Sequence, residues 1–291
     1  MKRLFFIPLL VLVLLSGCTP EPTPTSSLIL EGWIDAGGHP VVLIHKSYVL
    51  ENAGDSVQTL EDVVEDQLIP FGWVAVSDGE EEVVLTGKLD TMYLPPYTYS
   101  SVYMTGQTGK TYTVHVKYRE WESTATTTIP PVATFDSLRI RAFTPPFVQI
   151  TGYMSHVDMT EESYYAVFVR EYGKAQYQVC PYGVFSSQDM HSGKMEVNIY
   201  TPYRERNDVT EAEMYFSAND SIEYQVKIAR IDYPSYQFWK AYNEQIITRG
   251  ILFVPVYKNL PGNISGGTGY FSGMGSSIYR FRAVPDTTYV F

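Results

Sequence analysis

The sequence predicts an all-β protein of two β-sandwich-like domains, the N-terminal one immunoglobulin-like and the C-terminal one carrying a single amphipathic helix. Three observations point there. From Leu28 onward apolar and polar residues alternate with a period of two in most segments, as they do in strands that bury one face. Clusters of turn-forming residues, Asp35–Pro40 and Asp78-Gly79 the clearest, separate the apolar runs. One stretch, after Pro234, changes to a helical period.

Ahead of the strands, Lys2 and Arg3 precede Leu4–Leu15, a dozen uncharged residues that read as a secretory core behind a basic start. That core is short of the roughly 20 residues a helix needs to cross a bilayer. It ends in Leu15-Ser16-Gly17-Cys18, small residues directly before a cysteine, which is the pattern of a bacterial lipoprotein signal. Cleavage after residues 1–17 and lipidation of Cys18 are the expected outcome. At ~0.8 kcal/mol per buried methylene, two or three acyl chains anchor a protein lastingly. Residues 18–27, rich in Pro, Thr and Ser, read as a semi-extended tether.

Residues 28–130 hold the first domain. Leu28–Ile34 is a strand, Asp35–Pro40 its turn and Val41–Tyr48 the returning strand. Glu51–Asp66 is polar and acidic and reads as a loop with a short strand. Phe71–Val76 pairs with Val83–Leu85 around Asp78-Gly79, a strong hairpin signal. Thr111–Arg119 sets Tyr112, Val114, Val116 and Tyr118 on one face and Thr113, His115, Lys117 and Arg119 on the other. Trp121–Ile129 leads to Pro130-Pro131, which cannot continue a ladder and marks the boundary.

Residues 131–291 repeat the habit. Tyr164–Glu171 is apolar on both faces, as in a central strand. Met195, Val197 and Ile199 alternate, as do Ile222, Tyr224, Val226 and Ile228 against Ser221, Glu223, Gln225 and Lys227. In Ser235–Thr248 the residues Phe238, Trp239, Tyr242 and Ile246 form one helical stripe, with Pro234 in the first turn and Gly250 past the end. This helix is expected to cap an open end of the second sandwich.

The chain has 21 Lys+Arg against 32 Asp+Glu, and loss of Lys2 and Arg3 with the signal leaves 19 against 32. Such a surface repels nucleic acid and anionic headgroups, so nucleic acid is not an expected partner. With Cys18 lipidated, Cys180 has no disulfide partner and reads as a small buried hydrophobe; stability must come from burial.

No catalytic constellation is visible. The five histidines (His39, His45, His115, His156 and His191) are scattered, without a His-Glu-x-x-His pair. Gly262–Gly266 places its serine one position too late for a nucleophile elbow. Phosphate-loop, calcium-loop and zinc spacings are missing, and Glu80-Glu81-Glu82 reads as a solvated hairpin tip. No catalytic residue, metal or cofactor is therefore assigned, and the expectation is a protein that is not an enzyme. A hydrolase built on two of the acidic residues stands as a lesser alternative.

Tyrosine is abundant, with 24 in the chain, and most lie in strands. Tyr93, Tyr97, Tyr99 and Tyr103 instead fall in the loop-like run Met92–Gly106. Tyrosine offers rigid amphipathic contact area, so these four are candidate ligand- or partner-binding residues, against the alternative of a loop tied down by its own tyrosines. The glycine-rich run Pro261–Gly275 lacks the lysine of a phosphate loop and reads as a close-packed turn.

Four blocks, Leu28–His45 (LILEGWIDAGGHPVVLIH), Gly106–Tyr112 (GQTGKTY), Ile129–Val132 (IPPV) and Asn263–Gly273 (NISGGTGYFSG), together resemble the signatures of the family called domain of unknown function 4249. They span nearly all of the mature chain in order, and Glu31–Ile34 and the glycine-rich block are the most specific. Thr268 departs from the apolar residue expected between Gly267 and Gly269, which puts only local turn packing in doubt. The resemblance implies an outer-membrane lipoprotein accompanied by a TonB-dependent nutrient-uptake transporter, and it transfers no catalytic residue. The expected function is a lipid-anchored binding component on the cell-surface side, its ligand open. An adhesin or fimbrial-type assembly subunit is the alternative.

Overall fold

The computed structural model describes residues 27–47, 67–155, 157–173, 176–202, 214–248 and 260–291. Cys18, nearly all of the tether, Glu51–Asp66, His156 and Gly250 lie outside the described residues.

Alternation in β1 (Leu28–Asp35) sends Leu28, Leu30 and Ile34 into a core and leaves Ile29, Glu31, Trp33 and Asp35 on the opposite face. The turn at Asp35–Pro40, with Gly37 at φ 74°, returns the chain antiparallel as β2 (Val41–Lys46). Next come β3 (Trp73–Ser77) and β4 (Glu82–Val84), joined at Asp78-Gly79 with Gly79 at φ 89°, which is the predicted hairpin. The N-terminal half continues with β5 (Thr86–Leu89), β6 (Tyr97–Ser100), β7 (Thr111–Tyr118) and β8 (Trp121–Thr128).

The C-terminal half begins with β9 (Ser137–Ala142), β10 (Phe147–Met154), β11 (Tyr164–Glu171), β12 (Gln178–Ser186) and β13 (Met195–Ile199). It continues with β14 (Phe216–Ser217), β15 (Asn219–Ile231), the helix α1 (Tyr233–Thr248), β16 (Thr268–Ala283) and β17 (Thr287–Val290).

These strands form three sheets. The largest has the order β12-β11-β15-β16-β1-β2-β6-β5, with β1 and β16 parallel and the other pairs antiparallel. A four-stranded sheet, β4-β3-β7-β8, encloses one core with β1, β2 and β6 of the large sheet. The order β1-β2-β6-β5 facing β4-β3-β7-β8 is that of a Greek-key sandwich with strands A, B, E and D opposite C′, C, F and G. A second sheet, β13-β10-β9-β17 with β14 beside β10, encloses another core with β11, β12, β15 and β16. The described residues are thus mainly β-strand, with α1 the long helix among them, as the alternation predicts. Strands from both sides of Pro130-Pro131 share the large sheet, and Ala133 donates to the Gly275 carbonyl at 2.9 Å just past that point.

The parallel β1–β16 pair depends on glycine. A Cβ on Gly269, at φ 117°, would lie 1.9 Å from the Leu30 carbonyl oxygen, and one on Gly266, at φ 80°, would lie 2.1 Å from that of Glu122. The glycine-rich run is therefore a place of close backbone approach, as its composition predicts, though it continues into the longest strand rather than ending in a turn. Thr268 is exposed, so its hydroxyl is accommodated at no packing cost.

The helix starts two residues earlier than its stripe indicates. Asp232 caps it: Oδ1 accepts the Ser235 N–H at 3.0 Å, while Oδ2 accepts the Thr127 hydroxyl at 2.7 Å and ties the helix start to β8. Its position also differs from the expected cap on a sandwich end. Phe238 and Trp239 pack on the large sheet against Ala166, Phe168, Ala229, Tyr270 and Met274, opposite the two sandwich cores. The reason is that β11 is apolar on both faces and its neighbours add Ala229, Ile231, Tyr270 and Met274 to the second one, so that face too must be covered, here by the helix. Asn243 locks it down, donating to the Cys180 carbonyl at 2.9 Å and accepting the Tyr182 N–H at 3.2 Å.

Cys180 is fully buried; burial pushes its thiol up to about 12, and its sulfur accepts the Tyr200 N–H at 3.1 Å. It behaves as the small hydrophobe the sequence predicts.

Candidate functional site

Between α1 and the large sheet lies an open cleft of about 270 Å³. Its floor follows from register. Glu31 pairs with Tyr270 and Asp35 with Met274 across β1–β16, and Phe168 pairs with Lys227 across β11–β15. Paired residues share a face, so Glu31, Trp33, Tyr270, Met274, Lys227 and Phe168 all project to one side. The helix stripe supplies the facing wall: Phe238, Trp239, Tyr242 and Ile246 all line the cleft. Ring centroids stand 4.5 Å apart for Phe238 and Tyr270, 4.9 Å for Trp239 and Tyr270, and 5.0 Å for Phe168 and Trp239. Tyr93 closes one side, its ring 6.0 Å from that of Trp33.

At one end sits a satisfied charge cluster. Lys227 Nζ, almost fully buried, meets both carboxylate oxygens of Asp35 at 3.3 Å. Asp35 also accepts the Ser276 hydroxyl at 2.6 Å. The ammonium lies 5.2 Å from the Phe168 ring centre and 5.1 Å from that of Tyr177. Behind it the Arg170 guanidinium stacks on Tyr177 at 4.3 Å, and both residues donate to Gln225 Oε1, at 2.7 and 3.0 Å. Burial pushes the Tyr177 phenol up to about 12.

Two groups in the cleft are unsatisfied. The Glu31 carboxylate has no hydrogen-bond or ion-pair partner among the described residues, and burial raises its pKa above the ordinary carboxylate value. Burial, reinforced by Glu31, also raises Tyr270 well above the ordinary phenol. The Trp239 indole Nε1–H is buried and likewise finds no acceptor among the described residues.

Of the four tyrosines singled out in the sequence, the structure brings one to this cleft. Tyr93 lines it. Tyr97 and Tyr99 belong to β6 rather than to a loop, their rings 5.5 Å apart and edge-on. Tyr99 is buried; its hydroxyl donates to the Ile69 carbonyl at 2.5 Å and accepts the Gly72 N–H at 2.9 Å, and burial pushes the phenol up to about 12. It stitches the chain ahead of β3 to β6. Tyr103 is exposed and does not line the cleft. Lys227 and Gln225 were legible only as the polar face of an alternating strand. The signal that could have exposed them is β11, apolar on both faces, which requires its neighbours' second faces to be covered too.

The profile of the family described as Domain of unknown function (DUF4249) matches residues 18–280. The chain belongs to this family. No curated protein matches it. The two blocks that carry the DUF4249 resemblance most specifically are partners in space. Glu31–Ile34 lies on β1 and the glycine-rich block leads into β16, and together they place Glu31, Trp33 and Tyr270 on the cleft floor. Among the described residues no three His, Cys, Asp or Glu side chains gather in a metal-holding group, and no helix is long and apolar enough to cross a membrane.

Proposed function

We propose that this DUF4249 protein is a lipid-anchored outer-membrane binding lipoprotein. In this reading it faces the cell surface, works with a TonB-dependent nutrient-uptake transporter, and holds its ligand in the aromatic cleft beneath α1. The observation that carries the binding role is the cleft itself: a preformed concavity with aromatic walls and convergent polar groups, Glu31 and Lys227 among them, the usual make-up of a small-ligand site. The lipid anchor rests on Leu15–Cys18, and the transporter on the family resemblance. Binding rather than hydrolysis fits the carboxylates at the cleft, because Asp35 is engaged by Lys227 and Ser276 while Glu31 stands alone.

Crosslinking intact cells, solubilising the membranes in detergent and purifying the tagged protein tests the assignment. The expected result is recovery of a TonB-dependent transporter with the wild-type chain and its loss with Cys18→Ala. Crosslinked material free of any transporter would overturn the partnership. Protease shaving of intact cells that degrades the protein while periplasmic markers survive is expected for a surface-facing anchor; protection would place it on the periplasmic side.

A further inference from the structure

We infer that the cleft selects an organic cation, an ammonium group carried on an apolar or aromatic body, with Glu31 as the counter-charge and the surrounding rings as a cation–π cage. The inference rests on the capture role proposed above and names its ligand class.

Charge complementarity leads there. Lys227 and Asp35 neutralise each other, and Ser276 completes the Asp35 shell. Arg170 lies behind Tyr177, stacked on its ring and bonded to Gln225. Glu31 is then the carboxylate of the cleft lining that has no ion-pair partner among the described residues. A carboxylate half-removed from water without a partner destabilises the empty protein, and an incoming cation relieves that cost. An anion would meet Glu31 unfavourably, and Lys227 has already spent its donors on Asp35 and the Met274 sulfur at 3.3 Å. A neutral sugar would bring hydroxyl donors but leave the charge standing.

The walls fit the same ligand. Trp33, Tyr93, Trp239, Tyr242 and Tyr270 present π faces or edges around the space beside Glu31. Trp and Tyr faces attract ammonium groups, most strongly where water is excluded. The same arrangement already holds a cation within the protein, since Lys227 sits over Phe168 and Tyr177. At about 270 Å³ the cleft takes one small molecule or one terminal group of a larger one.

The test is calorimetric titration of the full lipidated chain in detergent with three probes of similar shape: phenethylammonium, neutral 2-phenylethanol and anionic 3-phenylpropanoate. The expected order places the ammonium at least tenfold tighter than the alcohol, with the anion undetectable. Glu31→Gln, which keeps shape and folding, is expected to erase that preference, and Trp33→Leu to weaken all binding. A peptide amide bearing a free N-terminal phenylalanine, against its acetylated form, separates a peptide terminus from a free amine as the source. Binding of the alcohol as tight as that of the ammonium overturns the cation assignment while leaving the capture role intact, as does an ammonium preference that survives Glu31→Gln. Failure of the ammonium to bind also overturns it, whereas the capture role with its transporter fails separately, by the crosslinking result.

Discussion

Asp35 and Lys227, 192 residues apart, close an ion pair at 3.3 Å across the intervening strand β16. The lysine stem lies along the sheet between Phe168 and Met274, so the charge is delivered beneath the aromatic cleft rather than to water. The pair joins the N-terminal and C-terminal halves at one end of the cleft.

Removing one partner leaves the other uncompensated. Lys227→Met is expected to lower stability by about 2–3 kcal/mol, below the range for fully buried pairs because Asp35 keeps some solvent contact. Adding Asp35→Asn should restore part of the loss. Urea unfolding of both variants checks this; a double variant no more stable than the single one would show that the pair is not the source.

Asn243 is the second anchor of the cleft, because its amide holds the Cys180 carbonyl and the Tyr182 N–H from the helix. Asn243→Ala adds no bulk and leaves both backbone groups unpaired, which costs about 2–4 kcal/mol. Hydrogen exchange should accelerate through α1 and β12 while β7 and β8 stay protected. Uniform acceleration over the whole chain would contradict a local anchor.

Glu31 carries a sign that pH can read. Its folded pKa is raised, so its protonated form favours the folded state at low pH, and that contribution is lost as pH rises from its unfolded value of about 4.5 through the folded value. Glu31→Gln should therefore be more stable than wild type at pH 7 and close to it at pH 4. A thermal-melt series across that interval decides it, and a variant less stable at pH 7 would show that Glu31 is paired after all.

The β3–β4 hairpin runs the opposite way. Lys110, with the Glu80 and Glu81 backbone N–H groups, lowers Asp78 to about 2. Its contribution is full above the unfolded value of about 3.8 and is lost as pH falls through about 2. Lys110→Met should raise the Asp78 titration midpoint in carboxyl NMR spectra, and an unmoved midpoint would assign the depression to the turn alone.

The local pattern alone determined much of this protein. Tyr112, Val114 and Val116 alternate into the core of β7, Asp78-Gly79 turns the chain, and the stripe Phe238, Trp239, Tyr242 and Ile246 makes a helix, because strand and helix periods are properties of neighbouring residues. Tertiary structure alone decided what lies over each face. A strand's alternation says which side Glu31, Lys227 or Gln225 points to, and carries nothing about whether water or an aromatic helix waits there. The parallel pairing of β1 with β16 has no local signal, since its partners are joined through most of the chain. That pairing and the helix laid across it turned polar strand faces into the floor of a cleft, and made Tyr99 a buried strut while Tyr93 became part of the wall.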